Sequence, residues 1–318
     1  MVQLSQLPGG MYWHVVNSKD YLYQYAKGPA GQQAKSLGPR TPHTEQALRE
    51  FKQTKEDLEE RRAGIERRFK ELAPVWRALR LPAIDRSAAR ILRALDQVDL
   101  VGKSVLVVGT YALKAYEVES ATNFAAGMDA TEDLDFTLVV GDGEVDVDAP
   151  RRLLLTLKQV DSSFIVSPSA PRTVVNKTGY KVDLLTNNSV AKSLSSVRPW
   201  KPEPLEGQEW LLLGKPVHAV LIDFEGWPVS VSAPDPRYFA LHKIWLSKRP
   251  GRPAPKQVKD ERQGKALLEA VFQYMPHYPI DDSFVASLAI PLREQLSSTG
   301  TNQLTEKSSR APRKQTRT

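Results

Sequence analysis

Residues 131–140 read TEDLDFTLVV, an acidic stretch that runs directly into an apolar one. Whether Asp133 and Asp135 open a strand or sit in a loop decides the fold. In a strand, residues i and i+2 face the same way. The sequence then sends both carboxylates to one face and Leu134 and Phe136 to the other, toward a core. Two like charges that close repel unless a cation lies between them, and hard oxygen ligands suit Mg2+ or Mn2+. An Asp-x-Asp pair is weak evidence alone in a chain with 18 aspartates. A second pair, Asp146 and Asp148, lies in GDGEVDVDAP between a Gly-rich turn and a proline. No apolar run carries it into a core, and it reads as a solvated loop.

Upstream, residues 103–118 read KSVLVVGTYALKAYEV. A β-branched apolar run, a glycine and a helix-like segment follow one another. A glycine at a strand-to-helix turn lets backbone N–H groups approach a phosphate, and the helix N-terminus adds positive potential. Gly109 occupies that place, and Thr110 adds a hydroxyl. A plain strand–helix turn is the simpler reading of the same residues. Downstream, GYKVDLLT (179–186) puts Asp183 among apolar neighbours in a strand. A carboxylate there is costly unless paired or metal-bound, and pairing with Lys181 is the alternative to metal binding.

The remaining segments place this centre between helical regions. Residues 10–38 alternate aromatic and polar positions around Asn-Ser-Lys-Asp and Gly-rich breaks, the pattern of a small antiparallel hairpin or three-stranded sheet. Residues 41–72 are dense in Glu, Lys, Arg and Leu, with Thr44 as a candidate N-cap. They read as one long charged helix whose weak point is Gly64. Its apolar residues Leu48, Phe51, Leu58, Ile65, Phe69 and Leu72 form a narrow stripe suited to packing on a neighbour. A shorter amphipathic helix over 85–100 starts near Asp85 or Ser87. Strands are expected in 162–168, 172–177 and 218–234, the last with a turn at Glu225–Gly226, and helices in 237–249, 256–275 and 281–296. The expected fold class is α+β: a mixed sheet with flanking helices, an N-terminal small sheet plus long helix, and a C-terminal helical region. The expected segments are 1–40 (small sheet), 41–100 (helical), 101–233 (α/β core), 234–296 (helical) and 297–318 (a disordered basic tail).

Composition sets outer limits. The length of 318 residues suits two or three domains, and 41% hydrophobic with 25% charged residues is ordinary for a globular chain. No apolar run approaches the roughly 20 residues that span a bilayer, so no membrane association is expected. The N-terminus lacks a basic segment followed by a long apolar one, so no secretory signal is expected. Cysteine is absent, which excludes disulfides and thiolate metal sites and fits a reducing cytoplasm, the expected location. The net charge of +7, part of it from RAPRKQTRT at the end, suits a nucleotide or nucleic-acid partner. There is no GxGxxG, and VGKS (101–104) precedes its strand instead of following one, so it cannot cradle phosphate. A nucleophile elbow is missing too. The five histidines show no metal-ligand spacing. No internal repeat is present.

Strand, Gly-Thr, helix, Asp-x-Asp strand, then a third Asp on a later strand: this order resembles the nucleotidyltransferase superfamily that includes DNA polymerase beta. More narrowly, VLVVGTYALKAYEVESATNF, ATEDLDFTL, GYKVDLLT and APDPRYFALHKIWLSKR are similar to a bacterial family of nucleotidyltransferase-like proteins. Ala112, Leu113, Tyr116 and Glu117 match its helix motif, and Thr131, Asp133 and Asp135 its strand motif. The likeness extends over about residues 10–275. The longer gap between Gly109 and Asp133 departs from the smallest superfamily members and implies an extra loop in VESATNFAAGMDA.

The resemblance implies metal-dependent transfer of NMP from an NTP to a hydroxyl acceptor, with Mg2+ or Mn2+ as cofactor and two ions in line. Asp133, Asp135 and Asp183 are the implied metal ligands and catalytic residues. Gly109 and Thr110 would contact the phosphates. Lys243 would neutralise phosphate charge, against the simpler reading of a solvated helix lysine. The acceptor is left open between an RNA or other nucleic-acid end, a protein hydroxyl and a small molecule. A second expectation comes from another class: a nucleic-acid-binding protein with a degenerate transferase core. It rests on Tyr12, Trp13, His14, Tyr21, Tyr23, Tyr25, Lys27 and Lys35, which could stack on bases and contact phosphates. The simpler reading packs those aromatics onto the long helix.

Overall fold

The computed structural model describes residues 9–28, 31–124, 133–141, 144–194 and 200–299. The chain divides into two compact units at residues 75 and 76. In the first, β1 (Gly10–Val16), β2 (Lys19–Gly28) and β3 (Gly31–Pro39) form an antiparallel sheet in that order. Asn17 and Ser18, both at positive φ, close the first hairpin, as a tight turn between right-twisted strands requires. Helix α1 (Pro42–Ala78) follows and crosses the boundary between units. Gly64 does not break it: the helix is continuous from residue 42 to residue 78. Thr44 is not the N-cap but lies in the first turn, where its hydroxyl bonds Pro39 O and Thr41. The apolar stripe is buried at Phe51, whereas Ile65 and Leu72 are open to solvent.

The second unit contains β4 (Ala83–Ile84), α2 (Arg86–Gln97), β5 (Val105–Val108), α3 (Gly109–Ser120) and β6 (Asp133–Leu138). Next come the pair β7 (Val140–Gly141) and β8 (Glu144–Val145), then α4 (Ala149–Val160), β9 (Ile165–Val166), β10 (Thr173–Val175) and β11 (Lys181–Thr186). The chain continues through α5 (Asn188–Ser193), β12 (Glu203–Pro204), a 3-10 turn (Gln208–Leu212), β13 (Val217–Asp223) and β14 (Pro228–Ala233). It ends with α6 (Pro236–Ser247), α7 (Ala254–Tyr274), α8 (Asp282–Ser287) and α9 (Ile290–Ser298). The expected α+β class holds. The segment over 281–296 is two helices, because Leu288 and Ala289 are extended ahead of Pro291. The segment from 297 is helical through Ser298, and residues 300–318 lie outside the described residues.

The main sheet is mixed, ordered β5-β6-β11-β10-β9, with β12 pairing in parallel to the end of β11. β5 runs antiparallel to β6, and β6 parallel to β11. A second sheet, β14-β13-β4, is built on the hairpin at Glu225–Gly226. Asp223 fixes that turn by accepting the Glu225 and Trp227 amides, and Arg93 of α2 neutralises it at 2.9 Å. The core contains Leu134, Phe136, Val182 and Leu184 of the main sheet together with Tyr116 and Phe239 of the helices, each almost wholly removed from water. Apolar burial of this kind contributes roughly 1.5–3 kcal/mol per large side chain.

Candidate active site

β6 enters the sheet at Asp133, as the alternation demands: Leu134 and Phe136 are fully buried, and Asp133 and Asp135 share the opposite face. The parallel register pairs Asp133 with Lys181 and Asp135 with Asp183. Asp183 therefore lies on the same face as the pair, beside Asp135 on the next strand. On the other side of β6, Val108 is the partner of Asp135, so β5 ends there and Gly109 turns the chain into α3. Gly109 has φ +68°, and a Cβ at that position would stand 2.2 Å from Asp135 Oδ2. The turn glycine thus satisfies two demands, a left-handed backbone and a close approach to a carboxylate. Thr110 follows it, buried in the first turn of the helix.

The electrostatics agree with the register. Burial pushes the Asp135 carboxyl up to about 6, and the Asp183 and Asp133 carboxylates add to the rise, while Lys243 and Lys256 oppose it. Three carboxylates and two ammonium groups thus act on one another here. Asp183 is further held from its outer side: Thr173 donates to Oδ1 at 2.5 Å, and Arg172 lies 3.4 Å from Oδ2. Arg172, not Lys181, is its ion-pair partner. Arg172 also pairs with Glu203, and with Lys201 and Glu203 it lines a pocket of about 280 Å3 on that side of Asp183.

The hard oxygen donors and their mutual repulsion suit a divalent cation. Among the described residues, however, no three such side chains stand close enough to form a ready-made cage. The Arg172 and Thr173 contacts hold Asp183 in an arrangement that differs from a closed ligand set.

Lys243 is neither a solvated lysine nor an open phosphate ligand. It is buried on α6 and donates to Asp260 of α7 at 2.7 Å, and Arg252 binds the other oxygen of Asp260. Asp260 is itself almost fully buried. The exposed cation that acts on Asp135 is Lys256, in the first turn of α7. Nothing in the local sequence marks Lys256, because its relation to the site comes from how α7 packs.

Tyr111 and Tyr180 were also missed. The Tyr111 hydroxyl donates to Asp85, which caps α2 through the Ser87 and Ala88 amides. Burial pushes both phenols above their ordinary range, with Asp85 and Asp133 adding to the effect. Both stay protonated, and Tyr111 ties the first turn of α3 to the start of α2. The second acidic pair stands apart from the site. Asp146 accepts from Ser104 and Arg152, and Asp148 pairs with Arg151. Thr131 lies outside the described residues, as does much of the expected extra loop. Val118–Ser120 belong to α3, and the Phe124 amide donates to buried Glu117.

The mixed sheet thus brings an aspartate pair, a third aspartate and a glycine turn together at one end of its strands. A family model described as nucleotidyltransferase matches residues 86–288, about two thirds of the chain, and the chain belongs to that nucleotidyltransferase family. Among solved structures it is similar to an antigenic nucleotidyltransferase-like protein from Paracoccidioides brasiliensis. The two share 14% identity and a TM-score of 0.38, over 70% of this chain and 91% of that one. No curated protein matches the chain.

Proposed function

We propose that the protein transfers a nucleotidyl group from an NTP to a hydroxyl acceptor, in the manner of the superfamily that includes DNA polymerase beta. The observation that carries this reading is the strand register that sets Asp183 beside Asp135, with Gly109 against the Asp135 carboxylate. In the reaction, the acceptor oxygen bonds to the α-phosphorus, the bond to the bridging oxygen breaks, pyrophosphate leaves and the acceptor proton is released. Asp133, Asp135 and Asp183 would hold Mg2+ or Mn2+, which supplies charge neutralisation on the triphosphate and a lowered pKa at the acceptor hydroxyl.

The chain's own residues do the rest. The turn at Gly109 brings backbone close to the carboxylates, and Thr110 begins a helix whose N-terminal dipole favours phosphate. Tyr111, anchored on Asp85, fixes the direction of that helix. Lys243 acts on Asp135 as a buried positive charge, and Lys256 is the exposed cation available to a phosphate. Arg172 and Thr173 orient Asp183 through an ion pair and a hydrogen bond.

The test is transfer of α-phosphate label from each NTP into a total cell extract, with Mg2+ or Mn2+. Label is expected to reach an acceptor with wild-type protein. Asp133→Asn or Asp135→Asn should reduce transfer by more than about 100-fold, the scale of losing one charge-stabilising group. Equal labelling by wild type and Asp133→Asn refutes the assignment.

A further inference from the structure

The N-terminal sheet carries a second surface whose chemistry the transferase site does not use. The β1–β2 register sets Tyr12 opposite Tyr23, His14 opposite Tyr21 and Gly10 opposite Tyr25. Alternation places these residues on one face and Trp13 and Leu22 on the other. The second face is covered: Leu22 is fully buried, and the Arg40 guanidinium lies 5.2 Å from the Trp13 ring centre. The first face is not. Tyr12 is 40% exposed, and His14 is also open to solvent.

The rings on this face form a continuous set. Tyr12 and Tyr23 are stacked with centroids 6.0 Å apart, Tyr12 and Tyr25 are 5.9 Å apart, and the His14 and Tyr23 rings meet edge-on at 5.5 Å. The Tyr25 ring lies over the backbone of Gly10, where a Cβ would come within 2.4 Å of it. Opposite Tyr23 and Tyr25, β3 offers only Ser36 and Ala34, so nothing tall on that strand covers the rings.

Charge says what such a surface fits. The alternate positions of β2 run Lys19, Tyr21, Tyr23, Tyr25, with a basic residue at the start of the tyrosine row. Residues 1–40 contain Lys19, Lys27, Lys35 and Arg40 against a single acid, Asp20, and Arg40 pairs with that acid at 3.1 Å. Lys19 and Lys35 are exposed. This face has flat rings with polar tips in a basic setting. Flat rings stack on bases, and the flanking cations suit phosphates.

We propose that the tyrosine face of the β1–β3 sheet binds single-stranded nucleic acid, with bases stacked on Tyr12, Tyr23 and Tyr25 and the backbone passing Lys19. The proposal does not depend on the transfer reaction.

Full-length protein is titrated against fluorescent oligo-U and oligo-dT and a duplex of equal length, at three salt concentrations. Wild type should bind the single strands more tightly than the duplex, with affinity falling as salt rises. Tyr12→Ala and Tyr23→Ala should each weaken binding about tenfold, while Tyr23→Phe, which keeps the ring, should bind as wild type does. Lys19→Ala should flatten the salt dependence. Asp133→Asn should bind like wild type, which separates this surface from the transferase site. Absence of single-strand binding, a preference for the duplex, or unchanged affinity in a Tyr12→Ala protein with wild-type circular dichroism overturns the proposal. If Tyr23→Ala loses the sheet's circular dichroism, Tyr12→Ala and Lys19→Ala decide the matter.

Discussion

Gly109 shows how one residue can serve backbone and chemistry together. Its left-handed φ and its approach to Asp135 leave no room for a side chain. Gly109→Ala should lower stability by about 1–3 kcal/mol, measured by urea denaturation, and should abolish transfer. A second residue-scale prediction concerns His242. The ring is buried between Trp210 and Trp245, and neither nitrogen has a hydrogen-bond partner among the described residues. Burial, aided by the Lys243 charge, lowers its pKa to about 3. The unfolded chain protonates this histidine below its ordinary value near 6.5, and the folded chain does not. The contribution to stability is therefore full above pH 6.5 and shrinks as the pH falls from there toward 3. His242→Phe should narrow the gap between melting temperatures at pH 7.5 and pH 5, and an unchanged gap would show that another group governs the acid limb.

At the scale of elements, the helix α3 motif turns out to be mostly structural. Tyr116 is buried and donates to Pro234 O at 2.9 Å, and Glu117 accepts the Phe124 amide and pairs with Lys114. These residues fasten α3 to the start of α6 and to the chain that leaves α3. The Asp-Pro pair before α6 has the same kind of role. Asp235 is wholly buried, caps the helix at the Arg237 amide, accepts the Lys215 amide and binds the Arg237 guanidinium at 2.7 Å. Asp235→Ala removes the helix cap and the carboxylate partner of the half-buried Arg237, which keeps its hydrogen bond to Pro279 O, and should cost about 1–3 kcal/mol in urea denaturation. Because α6 also carries Lys243, the same variant should weaken nucleotide binding beyond its effect on stability.

The elements themselves were legible where the sequence alternates or where glycine and proline punctuate it. β6 and β11 could be read from DLDFTL and KVDLLT because strand burial there has a period of two, and β5 with the Gly-Thr turn from VLVVGT because a short β-branched apolar run ends at a glycine. The continuity of α1 through Gly64 could not be read, since one helical glycine lowers propensity without forbidding the helix. The β13–β14 hairpin was legible at Glu225–Gly226, whereas the pairing of β4 with β13 was hidden, because it joins residues far apart in the chain.

For the whole molecule, the chain divides at residues 75 and 76 into one unit that carries an exposed aromatic surface and another that holds the carboxylates. No helix among the described residues is long and apolar enough to cross a membrane. Sequence order singled out Asp133, Asp135, Asp183 and the turn at Gly109, and strand register sets Asp183 beside Asp135 with Gly109 against the Asp135 carboxylate. Sequence order could not identify Arg172, Lys256, Tyr111 or Tyr180, whose relations to those carboxylates arise only when strands and helices pack. Lys243 was singled out from its helix, but its pairing with Asp260 depends on the crossing of α6 and α7 and leaves no trace in either segment.

The most direct test of the central claim is Mn2+ binding in the presence of a non-hydrolysable NTP, measured by electron paramagnetic resonance on wild type and on Asp133→Asn, Asp135→Asn and Asp183→Asn. No acceptor is needed. Wild type should bind Mn2+ saturably, and each variant should bind it at least about tenfold more weakly, with melting temperatures no lower than wild type. Wild-type affinity in Asp183→Asn would contradict the claim, because the third carboxylate would then stand outside the site.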